Sequence, residues 1–221
     1  MEKRTYQSHT YYVYGSHPRV LLLSGMHGNE YESGILLEQY LLTHTDTIPH
    51  FLYIPHVSPS AVRAGTRKNI YGHDINRQFL PQTKDSEALA VMDIVKPYHF
   101  NICIDIHEDL DRTLGFYLYD TETMTADELH AYRSVIHTTG ARLYTGIDDL
   151  DDAHLMLHVD KGYVCEPTAA DSGFSSRWLF DTDIVPRSFT VEIPGKGTRK
   201  LKQSLIQACI SFLCSIKGVR L

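Results

Sequence analysis

Short apolar runs, each of the length of a β-strand, alternate with longer segments of helical period along this chain. The apolar pattern predicts strands over residues 20–24, 51–57, 100–106, 114–119 and 188–193, and helices over 31–43, 85–95, 125–138, 172–180 and 201–216. Strands that alternate with helices favour an α/β sheet covered by helices on both faces. The long polar segment 58–80 has no such period, and loops of that length are usually functional or disordered.

The length and charge of the chain limit the classes of function. A chain of 221 residues suits one domain, and we expect a single domain over 1–221. The formal net charge of −6 argues against nucleic-acid binding, because phosphate binding needs a concentrated basic face. We therefore interpret the basic cluster 196–202 as the solvated start of the last helix.

The cysteines and the N-terminus bear on where the protein works. Four cysteines show neither C-x-x-C spacing nor the density of a disulfide scaffold. Residues 1–17 lack the apolar stretch of a signal peptide, and no apolar run approaches the roughly 18 residues of a membrane span. We expect a cytoplasmic protein that does not bind membranes.

A histidine and a glutamate follow the first predicted strand. His27 and Glu30 are three residues apart, so a turn or the start of a helix places both on one side. His107 follows the strand 100–106 in the same way, and ligands gather beyond the carboxyl ends of strands in α/β sheets. Imidazole and carboxylate groups suit zinc. The sequence therefore predicts one zinc ion per chain, held by His27, Glu30 and His107.

The polar segment 58–80 concentrates positive charge in an otherwise acidic chain. Asn76 lies beside Arg77, and an arginine with its forked donors can bind a carboxylate. Arg67 adds a fixed positive charge ten residues earlier. This pattern favours a binding site for a substrate carboxylate.

The last predicted strand carries a glutamate in apolar surroundings. Phe189, Val191 and Ile193 share one face, which leaves Thr190 and Glu192 on the other. A carboxylate in such a setting is costly unless it is paired or functional, and burial raises its pKa toward the range useful for proton transfer. These residues alone leave two interpretations open, an edge-strand charge or a catalytic base.

In this order, the motifs resemble those of the zinc carboxypeptidase superfamily, nearest its succinylglutamate desuccinylase/aspartoacylase branch and the small murein peptide amidases. The resemblance covers residues 20–195 in six segments: Gly-Met-His-Gly-Asn-Glu at 25–30, Val-Ser-Pro-Ser-Ala at 57–61, Arg67, Asp-Ile-Asn-Arg-Gln-Phe at 74–79, Asp-Ile-His at 105–107 and Phe-Thr-Val-Glu at 189–192. Ser58 departs from the usual asparagine. The resemblance implies a single-domain, carboxypeptidase-like three-layer α/β fold with a twisted mixed β-sheet between helices.

The same resemblance implies roles for the candidate residues. Glu192 corresponds to the general base, and Arg67 to the arginine that polarises the scissile carbonyl. Asn76 and Arg77 correspond to the pair that holds the substrate carboxylate. Arg177 lies in a segment similar to the specificity pocket, from which we expect an acidic or diaminopimelate-like substrate side chain.

Two features depart from the family pattern. The mobile tyrosine of digestive carboxypeptidases has no counterpart, because Thr-Ala-Ala-Asp fills 168–171, and Tyr163 is the nearest alternative. Few residues follow Glu192, so we expect no counterpart of the extra C-terminal β-domain of the desuccinylase/aspartoacylase branch. This favours a compact peptidase over an N-acyl-amino-acid deacylase.

We therefore expect a zinc metallopeptidase of the carboxypeptidase type that hydrolyses an amide bond next to a substrate carboxylate, in a peptidoglycan-type or acidic peptide. One alternative is an N-acyl-amino-acid deacylase of the succinylglutamate desuccinylase/aspartoacylase type. The other is a non-catalytic zinc- or peptide-binding module. The expected partner is a small peptide or acyl-amino acid, and the sequence leaves the oligomeric state open.

Overall fold

A nine-stranded mixed sheet forms the centre of the computed structural model, which describes residues 1–113, 115–149, 152, 155–165 and 172–216. The strands, in chain order, are β1 (Glu2–Tyr6), β2 (His9–Tyr14), β3 (Val20–Ser24), β4 (Phe51–Ile54), β5 (Ile102–Asp109), β6 (Gly115–Asp120), β7 (Arg142–Leu143), β8 (Gly146–Ile147), β9 (His158–Val159), β10 (Tyr163–Cys165) and β11 (Ser188–Pro194). In the described residues, β8 and β9 form a separate two-stranded sheet. All five predicted strands are therefore present; β3 has the predicted bounds and the other four have shifted ends.

The order of strands brings three distant parts of the sequence side by side. The order is β1-β2-β4-β3-β5-β11-β6-β10, with β7 beside β6. β3, β5 and β11 are adjacent and parallel. The contacts of β2 with β1 and β4, and of β11 with β6, are antiparallel. The sheet is mixed, as the family resemblance implies, and not purely parallel.

Helices cover both faces of the sheet. The α-helices of the described residues are α1 (Tyr31–His44), α2 (Pro59–Ala64), α3 (Ser86–Val95), α4 (Ala126–His137), α5 (Ser175–Asp181) and α6 (Arg199–Leu213). Apolar side chains of α1, α4 and α6 pack on one face, and those of α3 and α5 pack on the other. This three-layer arrangement confirms the predicted fold class. None of the described helices is long and apolar enough to cross a membrane.

Several elements lie where no regular structure was expected, the short strands β7 to β10 among them, and two cases are instructive. The first is the hairpin of β1 and β2, in which only His9 and Val13 are buried, so the strand period is weak in the sequence. The second is α2, inside the polar segment 58–80. Ser58 caps this helix by accepting from Ala61 N, and Gly65 ends it with a φ of +66°. A Ser-Pro start and a Gly end are sequence signals for a short helix.

Lys202 corrects the interpretation of the basic cluster 196–202 as a solvated helix start. Its side chain is only 3% exposed, and its Nζ lies 2.6 Å from Glu108 Oε2 and 2.8 Å from Glu32 Oε2. Glu108 also accepts from Ser33 N at 2.7 Å. Lys202 thus links α6 to the end of β5 and to the start of α1. It is buried because it lies beside the apolar face of α6 that packs on the sheet.

Replacing Lys202 with methionine should lower the free energy of unfolding by about 3–5 kcal/mol, because Glu108 would stay buried without its cation. Urea unfolding of the wild type and the variant measures this loss. Adding Glu108→Gln to the same chain should recover part of it.

The matched control for this prediction is Arg199→Met. Arg199 lies on the same helix and pairs with Glu32 at 3.3 Å, but it is about half exposed. Its loss should therefore cost less than about 1 kcal/mol. Equal losses for the two variants would show that burial of Lys202 does not matter.

Candidate active site

The carboxyl ends of three parallel strands bring the predicted metal ligands and Glu192 together. His27 lies in the turn after β3, and Glu30 immediately precedes α1. His107 in β5 is the register partner of Glu192 in β11. Residues that are far apart in sequence are therefore neighbours because β3, β5 and β11 are adjacent in the sheet.

His27, Glu30 and His107 form one buried cluster. Their exposed fractions are 2%, 6% and 3%, and the candidate ligand atoms lie within 4.8 Å of one another. His27 Nδ1 donates to Glu30 Oε1 at 2.7 Å, and His107 Nδ1 donates to Glu30 Oε2 at 2.9 Å. The carboxylate therefore directs both Nδ1 atoms toward one point.

The outer nitrogen of each imidazole faces a second carboxylate. His27 Nε2 donates to Asp74 Oδ1 at 3.0 Å, and His107 Nε2 lies 3.3 Å from Asp105 Oδ2. Histidines that bind metals usually have such a partner, which fixes the ring and raises its basicity. Two imidazoles and one carboxylate, all buried and oriented in this way, fit a divalent metal ion.

The charges of the cluster support one another. Burial lowers the pKa of His27, but Glu30 and Asp74 outweigh this effect, and the net shift is upward. Burial is likewise outweighed at His107, where Asp105 and Glu30 raise the pKa well above its usual range. Although burial opposes the shift, the two imidazoles hold the pKa of Glu30 far below its ordinary value. The protonated form of each imidazole is thus favoured, and a metal ion would compete with protons for both rings.

Unlike Glu30, Glu192 has a pKa above its ordinary value. Burial raises the pKa of Glu192 to about 8; His107 and His27 oppose the rise, and Glu30 and Asp109 add to it. Thr190 and Glu192 lie on the face of β11 opposite to Phe189, Val191 and Ile193, as predicted. A carboxyl group with a pKa near neutrality can both accept and return a proton.

A cavity with an empty volume of about 460 Å³ adjoins the cluster. Its lining residues are His27, Arg67, Asn76, Arg77, Tyr119, Leu155, Phe174, Ser176, Thr190 and Glu192. Arg67 reaches the cavity from a half-exposed position, where its Nε donates to Asp74 Oδ2 at 3.0 Å. Asp74 therefore contacts both His27 and Arg67.

Asn76 and Arg77 lie in a short 3-10 turn, Ile75–Arg77, whose position depends on the segment before α5. Asn76 Oδ1 accepts from Ser175 N at 3.0 Å. The Arg77 guanidinium lies 4.2 Å from the centre of the Phe174 ring, and its Nη2 pairs with Asp152. Gly173 permits this approach, because a Cβ there would lie 2.4 Å from the carbonyl oxygen of Arg77. The guanidinium is therefore fixed at the cavity.

The structure does not bring Arg177 to the cavity. Its Nε donates to Asp181 Oδ2 at 2.7 Å, one turn along α5, and Ser176 lines the cavity instead. The role of Arg177 in binding an acidic side chain stays a prediction without support from this placement. Tyr163 also lies away from the lining, since its hydroxyl donates to Asp120 at 3.0 Å. The segment 168–171 lies outside the described residues.

Several residues of the candidate site were not among the predicted ones. Asp74 and Asp105 each begin a motif that was identified, so the motif could have indicated a carboxylate behind each histidine. Tyr119 follows no motif, and only its pairing opposite Thr190 in the antiparallel contact of β6 with β11 places it at the cavity. Asp152 carries no sequence signal for its contact with Arg77.

Comparisons with known proteins agree with the fold and give its family. Residues 16–209 match the succinylglutamate desuccinylase/aspartoacylase catalytic domain family. The chain is similar in structure to a proposed metallopeptidase from Shewanella amazonensis SB2B, with a TM-score of 0.75 and 15% identity over 96% of this chain and 83% of that one. No functionally curated protein matches by sequence.

Two further solved structures have related folds. A murein-tripeptide amidase from Escherichia coli O157 has a TM-score of 0.63 and 15% identity over 92% of this chain and 85% of that one. A succinylglutamate desuccinylase/aspartoacylase from Rhodobacter sphaeroides has a TM-score of 0.56 and 19% identity over 96% of this chain and 60% of that one. At these identities the likeness concerns the fold.

Zinc binding near neutral pH should release protons, because the raised pKa values keep His27 and His107 protonated before the ion enters. The apparent affinity for zinc should therefore rise with pH. Calorimetric titration in buffers of different ionisation enthalpy counts the protons. Glu192→Gln should release about one proton fewer, because a cation expels the proton of a carboxyl with a pKa of about 8. Identical heats in all buffers would contradict the protonated cluster.

Asp74→Asn should weaken zinc binding by about 10- to 100-fold, because it removes the outer partner of His27. Competition with a chromophoric chelator measures the affinity. Asp85→Asn is the matched control, since Asp85 accepts from His73 Nδ1 at 2.8 Å in a similar pair that lies outside the cluster. The control should keep the wild-type affinity, and an equal loss in both variants would point to general destabilisation.

Proposed function

The chain belongs to the succinylglutamate desuccinylase/aspartoacylase catalytic domain family, and from this premise we propose that it is a zinc-dependent metallopeptidase of the carboxypeptidase type. It would hydrolyse an amide bond next to a substrate carboxylate. The observation that carries the proposal is that Glu192 lines the same cavity as four other candidate residues, namely His27, Arg67, Asn76 and Arg77. A binding module needs no proton acceptor beside its metal ligands.

His27, Glu30 and His107 would hold one zinc ion per chain. When bound, the ion would supply Lewis-acid chemistry, polarising the scissile carbonyl and acidifying water. The buried position of the three side chains supports this role, since low exposure strengthens charge interactions in the site. Asp74 and Asp105 would keep the two rings in their binding orientation.

Glu192 would act as the proton carrier. Its carboxylate would take a proton from the attacking water and later return it to the leaving nitrogen. Burial raises the pKa of Glu192 to about 8, which makes its carboxylate a stronger base. A nearby cation would favour the ionised form that accepts the proton. The same group then serves as base and acid within one turnover.

The two arginines of the cavity would bind two different negative charges of the reacting substrate. Arg67 would donate to the oxygen that becomes negative in the transition state, an interaction worth about 3–4 kcal/mol per donor in comparable sites. Arg77 and Asn76 would hold the carboxylate of the substrate and so select the amide bond that reacts. The contact with the Phe174 ring supports Arg77 in this role, because it restricts the movement of the guanidinium.

A second candidate, the deacylation of an N-acyl amino acid, is favoured by the family match itself. Both reactions place a carboxylate near the scissile amide and use the same residues. They differ in the acyl side, which is a peptide in one case and a small acid in the other. We also propose that residues 1–221 act as a single catalytic domain in the cytoplasm, where the four free cysteines would stay reduced.

Glu192→Gln should bind zinc with wild-type stoichiometry but lose about 10²- to 10⁴-fold in kcat, because the amide cannot accept the proton. Elemental analysis and hydrolysis of a C-terminal peptide library, run on the same samples, test both parts. Glu122→Gln, an exposed glutamate on the loop after β6, serves as the control. Full activity in Glu192→Gln would remove the base from the mechanism, and a wild type without metal would remove the mechanism.

The choice between peptidase and deacylase rests on the acyl group. We expect zinc-loaded wild type to have a higher kcat/KM for N-blocked dipeptides than for N-succinyl or N-acetyl derivatives of the same amino acids. Matched pairs of substrates with one shared terminal amino acid make the comparison, because the anchored carboxylate is then constant. A preference for the small acyl derivatives would assign the chain to deacylation.

Asp152→Asn should lower KM for carboxylate substrates by about 3- to 10-fold, because the Asp152 carboxylate competes with the substrate for Arg77. Initial rates over a range of substrate concentrations measure the effect. Asp160→Asn is the control, since Asp160 pairs with Arg133 at 3.0 Å in an exposed arginine–aspartate contact of the same kind. A higher KM in Asp152→Asn would mean that Asp152 helps to bind the substrate.

A further inference from the structure

Tyr119 is a wall of the cavity that the proposed reaction does not use. Its side chain is 6% exposed and lines the cavity together with Thr190 and Glu192. Tyr119 and Thr190 are register partners across the antiparallel contact of β6 with β11. The phenol is therefore held at a fixed depth by the sheet.

Asp148 fixes the proton of this phenol. The Tyr119 hydroxyl donates to Asp148 Oδ2 at 2.7 Å. The other oxygen of Asp148 accepts from Asp149 N and from Leu157 N, each at 2.7 Å. Asp148 is 7% exposed, so its orientation is set by these three donors.

The Asp148 carboxylate accepts hydrogen bonds but has no cationic partner in the described part of the chain. No arginine, lysine or histidine forms an ion pair with its carboxylate among these residues. Arg112 donates to the backbone carbonyl oxygen of Asp148 at 3.1 Å, but its ion pair is with Asp109. A negative charge thus lies directly behind the phenol.

A phenol with its single proton committed to a carboxylate can only accept a hydrogen bond from a ligand. Burial raises the pKa of Tyr119 far above neutrality, so the proton stays on the phenol. A hydrogen bond to a charged carboxylate also polarises the phenol and strengthens its oxygen as an acceptor. This wall of the cavity therefore selects for a donor, and most strongly for a cationic one.

The rest of the cavity fits a side chain with an apolar stem. Leu155 and Phe174 line it beside Tyr119, while Arg77 lies at the same cavity. A substrate residue whose carboxylate contacts Arg77 would pass its side chain between the apolar walls and reach Tyr119 with its tip. The two arginines of the lining pair with Asp74 and Asp152. In the proposed reaction they bind the scissile carbonyl and the substrate carboxylate, so neither is left to bind an acidic side chain of the substrate.

Building on the proposed function, we propose that Tyr119 is a specificity-determining residue and that the preferred substrate residue ends in an ammonium group. The segment of Arg177 led us to expect an acidic or diaminopimelate-like side chain, and an ammonium tip excludes the purely acidic one. The ammonium donates to the Tyr119 oxygen and lies near the negative charge of Asp148. The residue recognised is a diamino acid with a free carboxylate.

Two N-blocked dipeptides that end in ornithine or norleucine test this proposal, because their side chains are isosteric and differ only in an ammonium or a methyl tip. Zinc-loaded wild type should have a kcat/KM at least about 10-fold higher for the ornithine peptide. Tyr119→Phe should reduce this ratio to below about 3. Asp148→Asn, which keeps an acceptor but removes the charge, should also reduce the ratio.

Tyr163→Phe is the matched control. Tyr163 also donates to a buried aspartate, Asp120, at 3.0 Å, but it does not line the cavity. This variant should keep the wild-type ratio. A wild-type ratio near 1, or a ratio that survives in Tyr119→Phe, would overturn the proposal.

A binding measurement separates this proposal from the proposed function. Calorimetry of the same two dipeptides with zinc-loaded Glu192→Gln gives the preference without turnover. Tighter binding of the ornithine peptide, with no hydrolysis of either by the wild type, would support Tyr119 and reject the peptidase. Equal affinities would reject the role of Tyr119, whatever the wild type hydrolyses.

Discussion

The shared carboxylate of Glu30 is the interaction on which the site depends. It accepts from the imidazoles of His27 and His107 and from the backbone nitrogen of Glu108, at 2.7, 2.9 and 3.2 Å. These contacts join the turn after β3 to the end of β5. Because the carboxylate is buried, its charge acts in surroundings of low dielectric and holds both rings strongly. The parallel sheet brings the segments near one another, and Glu30 sets the final alignment.

Asp74 extends this organisation to the substrate side of the cavity. One of its oxygens faces His27 and the other faces Arg67. The group proposed to stabilise the transition state is thus oriented by the same carboxylate that orients His27, a proposed metal ligand. A small displacement of Asp74 would alter both functions together, so kinetic effects of changes in this loop will not separate into metal binding and catalysis.

The sequence was sufficient for the parts of the site that follow strands or lie in compact motifs. His27, His107 and Glu192 were found because apolar strands end beside them, and Arg67, Asn76 and Arg77 because they cluster in a polar loop. Tyr119 and Asp148 escaped detection, since their roles come from an antiparallel strand contact and from a hydrogen bond across 29 residues. Lys202 was misjudged because a lysine gives no sign of its burial partners.

The ion pair of Lys202 with Glu108 affects the order in which contacts form while the chain is synthesised. The ligand-bearing segments around Glu30 and His107 leave the ribosome early, whereas the helix that neutralises Glu108 is the last one described. Until α6 docks, the end of β5 carries an uncompensated negative charge beside Glu30. The complete set of contacts at the end of β5 therefore forms only after α6 has been synthesised and has docked.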